Sequence, residues 1–276
     1  MDLPADLETA CRAAARLGHP DALNEALDAL ARLSPIAANA PLGEGDVDRV
    51  LLPLGEALAG PAVAVAHLRD LQKAPLAALR AVAAVALAVR YLRGQPAGAR
   101  DLARSAKDAR AEVRWALQKA LRRHAQVNPQ RLLDLLSDWL TVVHPPRSPR
   151  QVAVALHTLP VLAVTFPDEV LPLAAAQRDA EHPEAQKALA ACLRELAQEG
   201  LAPAVLDLLR RWAEAPAPPL FVIGRTLSGR WAQAYRAQAE AILDLLEARY
   251  GPRRPLTNAR KALKTTEDTE GHRRHR

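Results

Sequence analysis

Apolar residues recur along most of this chain at the spacing of one face of an α-helix. The clearest stripe, at positions i, i+3, i+4 and i+7, is formed by Leu132, Leu135, Leu136 and Trp139. The segment 205–212 repeats this stripe and ends on Trp212. Because such positions lie on one side of a helix, the pattern predicts amphipathic helices in which Trp139 and Trp212 pack in a core.

The helical pattern is also repeated along the chain. LLDLLSDW (132–139), VLDLLRRW (205–212) and ILDLLEAR (242–249) align at spacings of 73 and 37 residues. A second series, with DARAEVRWALQKAL (108–121) as its clearest copy, interleaves with the first. Each repeat is therefore a pair, made of helix A, a turn and helix B. Because one pair cannot bury its own apolar face, we expect the pairs to stack against their neighbours.

Composition agrees with a helical protein. Hydrophobic residues make up 50% of the chain and aromatic residues only 3%, and the abundant Ala, Leu and Arg are strong helix formers. We predict an all-α fold of about six to seven helical pairs. Residues 75–264 form the regular repeats, and residues 1–74 form divergent N-terminal repeats with helices near 5–17, 20–33, 46–59 and 61–73. The polar segment 265–276 has no apolar period, which is typical of a disordered tail.

The second helix series resembles a known family. Asp108, followed after four residues by a valine and Arg114, is similar to the second half of a HEAT repeat. Arg80, Gln151 and Gln186 occupy the position of Arg114 in other copies. The resemblance implies a right-handed α-α superhelix, an armadillo-type solenoid whose B helices line the concave face. It also implies that the Asp and the Arg connect turn and helix. A HEAT motif names a fold rather than a function.

The net charge of +6 is unevenly distributed. Residues 1–48 sum to −6, and residues 100–131 sum to +6. The predicted B helices together carry +13, whereas the predicted A helices carry −3. If the B helices share the concave face, that groove is positive and attracts an acidic partner.

The densest basic stretch supplies the candidate binding residues. They are Arg80, Arg110, Arg114, Trp115, Lys119, Arg122 and Arg123. Arginine side chains contact phosphates, and an exposed tryptophan can stack on a base. The same residues have a structural interpretation, in which Arg80 and Arg114 are HEAT turn residues, Trp115 packs against the next repeat, and the stretch is a solvated basic face.

The sequence favours a binding scaffold over an enzyme. It contains no phosphate-binding loop, no His-x-x-x-His pair with a nearby acid and no nucleophile motif. His272 and His275 could bind a metal weakly, but a tail without a ligand is the preferred interpretation, and we predict no cofactor and no metal. The glycines in Gly224-Arg-Thr-Leu-Ser-Gly229 lie inside or after a predicted helix rather than after a strand, which disfavours a phosphate loop. We expect the basic groove to hold a protein or another acidic segment.

Nucleic-acid binding is the alternative. The basic groove also resembles, more weakly, HEAT-like proteins of the DNA-alkylation-repair (glycosylase-like) type, which hold duplex DNA. In that family several tryptophans and an acid face the lesion. Here Trp115, Trp231 and Glu112 are the nearest equivalents, and the catalytic aspartate of that family matches no residue. Binding of DNA or RNA without catalysis, driven by phosphate contacts, is a further form of this hypothesis.

Two features bear on the compartment. Cys11 and Cys192 form no disulfide or metal-binding pattern. The longest apolar run, from Ala81 to Val89, is shorter than the roughly 20 residues that a bilayer requires. We therefore predict a soluble cytoplasmic protein without a membrane partner.

Overall fold

The computed structural model describes residues 5–32, 43–141 and 148–264. Within these ranges every regular element is a helix, which confirms the all-α prediction. The first α-helices are α1 (Ala5–Leu17), α2 (Pro20–Ala31), α3 (Glu44–Asp46), α4 (Leu52–Leu58), α5 (Val65–Leu71), α6 (Ala77–Leu92), α7 (Ala99–Ala106) and α8 (Ala111–Arg123). The others are α9 (Pro129–Thr141), α10 (Pro149–Thr158), α11 (Pro167–Ala175), α12 (Pro183–Leu196), α13 (Ala202–Glu214), α14 (Leu220–Leu227), α15 (Arg236–Tyr250) and α16 (Arg254–Lys264).

Shorter helical turns connect several of these helices. Val47–Leu51 is π-helical, whereas Ala197–Leu201 is a kink between α12 and α13, with non-helical backbone at Glu199 and at Gly200, whose φ is +100°. Three are 3₁₀-helical: Ala125–Val127, Leu159–Leu162 and Arg230–Tyr235. The π-helix Val47–Leu51 continues directly from α3 into α4, so the predicted helix near 46–59 is present. Those predicted near 5–17 and 20–33 correspond to α1 and α2, and the fourth is the shorter α5. The predicted tail at 265–276 lies outside the described residues.

The described chain divides into two compact units, with the division after Leu136, inside α9. In the first unit α4 packs against α6, and α6 packs against α8. The helices α5 and α7 each pack beside α6, and α1 packs against α2 and α4. The boundary predicted at residue 74 lies inside this unit. In this unit α4, α6 and α8, which alternate in sequence with other helices, therefore form one packed row.

The second unit has the same alternation. The helices α10, α12, α14 and α16 form one packed row, in which each contacts the next. The helices α13 and α15 pack against each other in a second row. The first row corresponds to the predicted B helices and the second to the predicted A helices. Trp139 and Trp212 are both only 6% exposed, which confirms their predicted place in the core.

A repeated hydrogen bond ties the turn of a repeat to its helix B. Arg80, Arg114 and Gln186 each donate to the backbone carbonyl oxygen six residues earlier in the chain. The donor–acceptor distances are 2.9, 2.8 and 2.9 Å, respectively. These residues were aligned from the repeat phase alone, and they make the same local bond. The contact explains why glutamine can replace arginine here: both side chains carry an N–H donor at sufficient reach.

Candidate anion-binding site

Two of the sequence-predicted binding residues have structural roles in the first unit. The guanidinium of Arg80 pairs with the carboxylate of Asp108, with Nε 2.8 Å from Oδ2. Arg114 donates to the carbonyl oxygens of Asp108, at 2.8 Å, and of Ala109, at 3.1 Å. The turn before α8 is therefore held by arginine donors on both sides.

Two further candidates contact carboxylates that are distant in sequence. Lys119 Nζ lies 2.8 Å from Asp48 Oδ2. Arg123 Nε lies 3.3 Å from Glu56 Oε1, and His124 Nε2 lies 2.9 Å from the same oxygen. Both acids come from the segment around α4, which includes part of the acidic N-terminal region. The opposite charges of the two regions are thus partly balanced within the first unit.

Of the remaining candidates, Arg110 forms an ion pair and Trp115 and Arg122, on α8, are partly buried. Arg110 Nη2 lies 2.8 Å from Glu112 Oε1, whose side chain is only 2% exposed. Burial of Glu112 leaves this acid poorly placed to meet a flipped base. Anion binding by the α8 surface stays a prediction, but the charge excess expected there is largely compensated by carboxylates.

A different basic cluster lies in the second unit, around a cavity of about 450 Å³. Three successive helices of the B row, α12, α14 and α16, form its walls. Four of the residues lining it are bases, Lys187, Arg194, Arg225 and Arg254. The described residues that line it include no aspartate and no glutamate. We call this the cationic cavity.

Helical spacing brings these side chains to one face. Lys187 and Arg194 are seven residues apart on α12, two turns of helix. On α14 the lining residues Phe221 and Arg225 are one turn apart, and Ser228, which also lines the cavity, directly follows the end of this helix. On α16, Arg254 and Asn258 are one turn apart. Each helix therefore presents one aligned row of side chains to the same space.

The charges in the cationic cavity are not balanced by acids. None of its four bases makes an ion pair with another residue in the described parts of the chain. Partial burial lowers the pKa of Arg194 below its ordinary value, and the nearby positive charge of Arg225 lowers it further. Both effects disfavour the charged state of Arg194. An anion in the cavity would reverse the second effect by adding the missing opposite charge.

A glycine allows two walls of the cavity to meet. A Cβ atom placed on Gly224 of α14 would lie 2.6 Å from the carbonyl oxygen of Pro255 on α16. Such a distance is shorter than any ordinary contact, so only glycine lets these backbones approach so closely. The same contact sets the spacing between Arg225 and Arg254. The glycines singled out in the sequence thus have a packing role at this cavity.

The net charges summed over whole helices of the sequence did not indicate this basic cluster. The segment 184–198 sums to zero because Glu184 and Glu195 cancel Lys187 and Arg194. Neither glutamate lines the cavity. The signal that would have found it is the i, i+7 spacing of Lys187 and Arg194, which separates the bases onto their own face.

Other chemistry was also sought across the described residues. They contain no group of three or more His, Cys, Asp or Glu side chains that could hold a metal ion. No helix in the described ranges is long and apolar enough to cross a membrane. Comparisons with protein-family models, curated proteins and solved structures find no match to this chain.

Proposed function

We propose that this chain is a non-catalytic binding scaffold of HEAT-like helical pairs that holds an acidic segment of a partner protein. The observation that carries the proposal is the cationic cavity, which has four bases and no carboxylate among the described residues that line it. A site lined by one sign of charge attracts ligands of the opposite sign. The partner's carboxylates would supply the counter-charge that the described lining of the cavity does not contain.

The helical architecture supports the scaffold part of the proposal. In each unit the B helices form a packed row, which is the arrangement expected of a right-handed α-α superhelix. The bonds of Arg80, Arg114 and Gln186 to the carbonyl six residues earlier add a repeated local feature. Solenoids of this kind bind extended partners along the surface of one helix row.

The location of the binding surface follows from which basic side chains are not already paired with an acid in the described parts of the chain. On α8, Lys119 and Arg123 already contact Asp48 and Glu56, so a partner would have to displace internal acids. In the cationic cavity no such acid has to leave. We therefore place the acidic partner on α12, α14 and α16.

A direct binding titration tests this proposal. A fluorescein-labelled peptide of twenty glutamates is titrated with the full chain, and fluorescence anisotropy is recorded at low and at physiological salt. We expect saturable binding that weakens with salt. The variant Arg194→Glu/Arg225→Glu should bind at least about tenfold more weakly. A wild-type chain that fails to bind this peptide at low salt would contradict the proposal.

The control is a charge reversal on helix A. Arg210 and Arg211 lie on α13 and are both exposed. Arg210→Glu/Arg211→Glu changes the net charge as much as the cavity variant does, and we expect it to alter binding less than about threefold. Equal losses in both variants would mean that overall charge, rather than the cationic cavity, governs the interaction.

Duplex and single-stranded DNA serve as further probes in the same assay. Tight binding of duplex DNA with a steep salt dependence, at affinities well above those for the peptide, would favour the nucleic-acid alternative. The engagement of Glu112 with Arg110, and the burial of Trp231, whose Nε1 donates to the carbonyl of Thr226, argue for the acidic-protein proposal over a glycosylase.

A further inference from the structure

The cationic cavity concentrates more positive charge than a single carboxylate can match. Lys187, Arg194, Arg225 and Arg254 surround one space of about 450 Å³. A carboxylate brings one negative charge, whereas a phosphate monoester brings about 1.5 to 2 at neutral pH and three strong acceptor oxygens. Guanidinium groups match phosphate oxygens with paired N–H donors. The number and type of donors therefore favour phosphate.

The cavity also has features that a bare phosphate would not use. Its volume lies within the range of pockets that hold small organic ligands, about 300–1,000 Å³. The ring of Phe221, partly exposed at the wall, stands one helical turn before Arg225. The hydroxyl of Ser228 and the amide of Asn258 add neutral polar groups to the lining. An apolar surface beside a cationic one suits a phosphate attached to an organic group.

We infer that the cationic cavity recognises a phosphate monoester, with the phosphate against the arginines and its carrier group against Phe221. This inference rests on the proposed function, because it names the group on the acidic partner that enters the cavity. Arg194 and Arg225 are the phosphate contacts, since both line the cavity and their helices, α12 and α14, pack against each other. Lys187 and Arg254 complete the positive rim.

Small probes of matched shape test the inference by isothermal titration calorimetry. They are phenyl phosphate, phenylacetate and inorganic phosphate, each titrated into the full chain. We expect phenyl phosphate to bind at least about tenfold more tightly than phenylacetate, because the dianion meets more donors. It should also bind at least about threefold more tightly than inorganic phosphate, because the ring contacts Phe221. Phenylacetate that binds as tightly as phenyl phosphate would overturn the inference.

Variants connect the binding to the named residues. Arg194→Gln/Arg225→Gln should weaken phenyl phosphate at least about tenfold. Phe221→Ala should remove the advantage of phenyl phosphate over inorganic phosphate while leaving inorganic phosphate binding unchanged. Arg210→Gln, on helix A, is the matched control and should have no effect. Circular dichroism of each variant verifies that the helices remain folded. Unchanged phenyl phosphate binding in the folded double arginine variant would overturn the inference.

The phosphate could belong to a phosphorylated partner or to a free metabolite, and two further ligands distinguish these sources. A short peptide with one phosphotyrosine represents a phosphorylated partner, and adenosine 5′-monophosphate represents a free metabolite. Tighter binding of the phosphopeptide than of its unphosphorylated form supports a phosphorylated partner, and tighter binding of the nucleotide supports a small-molecule ligand. If polyglutamate binding depends on Arg194 and Arg225 but no phosphate monoester binds, the inference fails and the proposed function stands. If phenyl phosphate binds in the cavity but no acidic peptide does, the proposed function fails instead.

Discussion

Arg80 on α6 and Asp108 in the turn before α8 form a two-point ion pair, with Nε 2.8 Å from Oδ2 and Nη2 3.3 Å from Oδ1. The same guanidinium donates to the carbonyl oxygens of Ala74 and Pro75, in the turn before its own helix. Asp108 Oδ1 in turn accepts the backbone N–H of Arg110. One arginine thus connects the turn before α6 with the turn before α8.

Removing this arginine should destabilise the first unit. In Arg80→Ala the carboxylate of Asp108, whose side chain is 15% exposed, loses its cation, and two turn carbonyls lose a donor. We expect the free energy of unfolding to fall by about 2–4 kcal/mol. Urea denaturation followed by circular dichroism measures the change. Arg100→Ala, an exposed position on α7, is the control and should change it by less than about 0.5 kcal/mol. Similar losses in both variants would refute the assigned role of Arg80.

A second prediction concerns the contact between α14 and α16. Gly224→Ala introduces a methyl group 2.6 Å from the carbonyl oxygen of Pro255, so the helices must move apart. We expect a loss of about 1–3 kcal/mol in unfolding free energy, together with weaker binding at the cationic cavity. Gly98→Ser is the control, because a Cβ atom there meets no atom closer than 3.6 Å. If Gly224→Ala is as stable as Gly98→Ser, the two backbones are not in close contact.

A third prediction separates stability from binding in the cationic cavity. Burial lowers the pKa of Arg194, and like-charge repulsion from the exposed Arg225 lowers it further. Arg225→Gln removes that repulsion, so the thermal unfolding midpoint should stay the same or rise while binding of the acidic peptide weakens. A residue that serves binding at a cost in stability is expected to show this combination of weaker binding and unchanged or higher stability when it is replaced. Differential scanning calorimetry measures the midpoint, and a clear decrease would indicate a structural role for Arg225.

Local order could be read from the sequence because it depends on nearby residues. The stripe that ends on Trp139 and the one that ends on Trp212 need only a period of 3.6 residues, and both tryptophans are buried. The alignment of Arg80, Arg114 and Gln186 needs only the repeat phase, and each donates to the carbonyl six residues earlier. Neither result required knowledge of which helices meet.

The charged surface could not be read in the same way, because it depends on partners distant in the chain. Lys119 and Asp48 are 71 residues apart and form an ion pair. The net positive charge summed over the segment that contains α8 therefore overstates the positive charge that is available to a ligand there. The opposite error affects α12, whose acids and bases cancel in the sum although Lys187 and Arg194 line the cationic cavity. To predict an electrostatic surface one has to know the fold, whereas helices can be predicted mainly from the pattern of apolar residues.

The most direct test compares two double variants, each lacking two positive charges, in one binding assay. Lys119→Gln/Arg123→Gln removes two positive charges from α8, and Arg194→Gln/Arg225→Gln removes two from the cationic cavity. Fluorescence anisotropy with the labelled glutamate peptide then gives the dissociation constant of each variant. The account predicts a loss of at least about tenfold for the cavity pair and less than about twofold for the α8 pair, whose charges are already compensated. Equal losses, or a larger loss for the α8 pair, would contradict it.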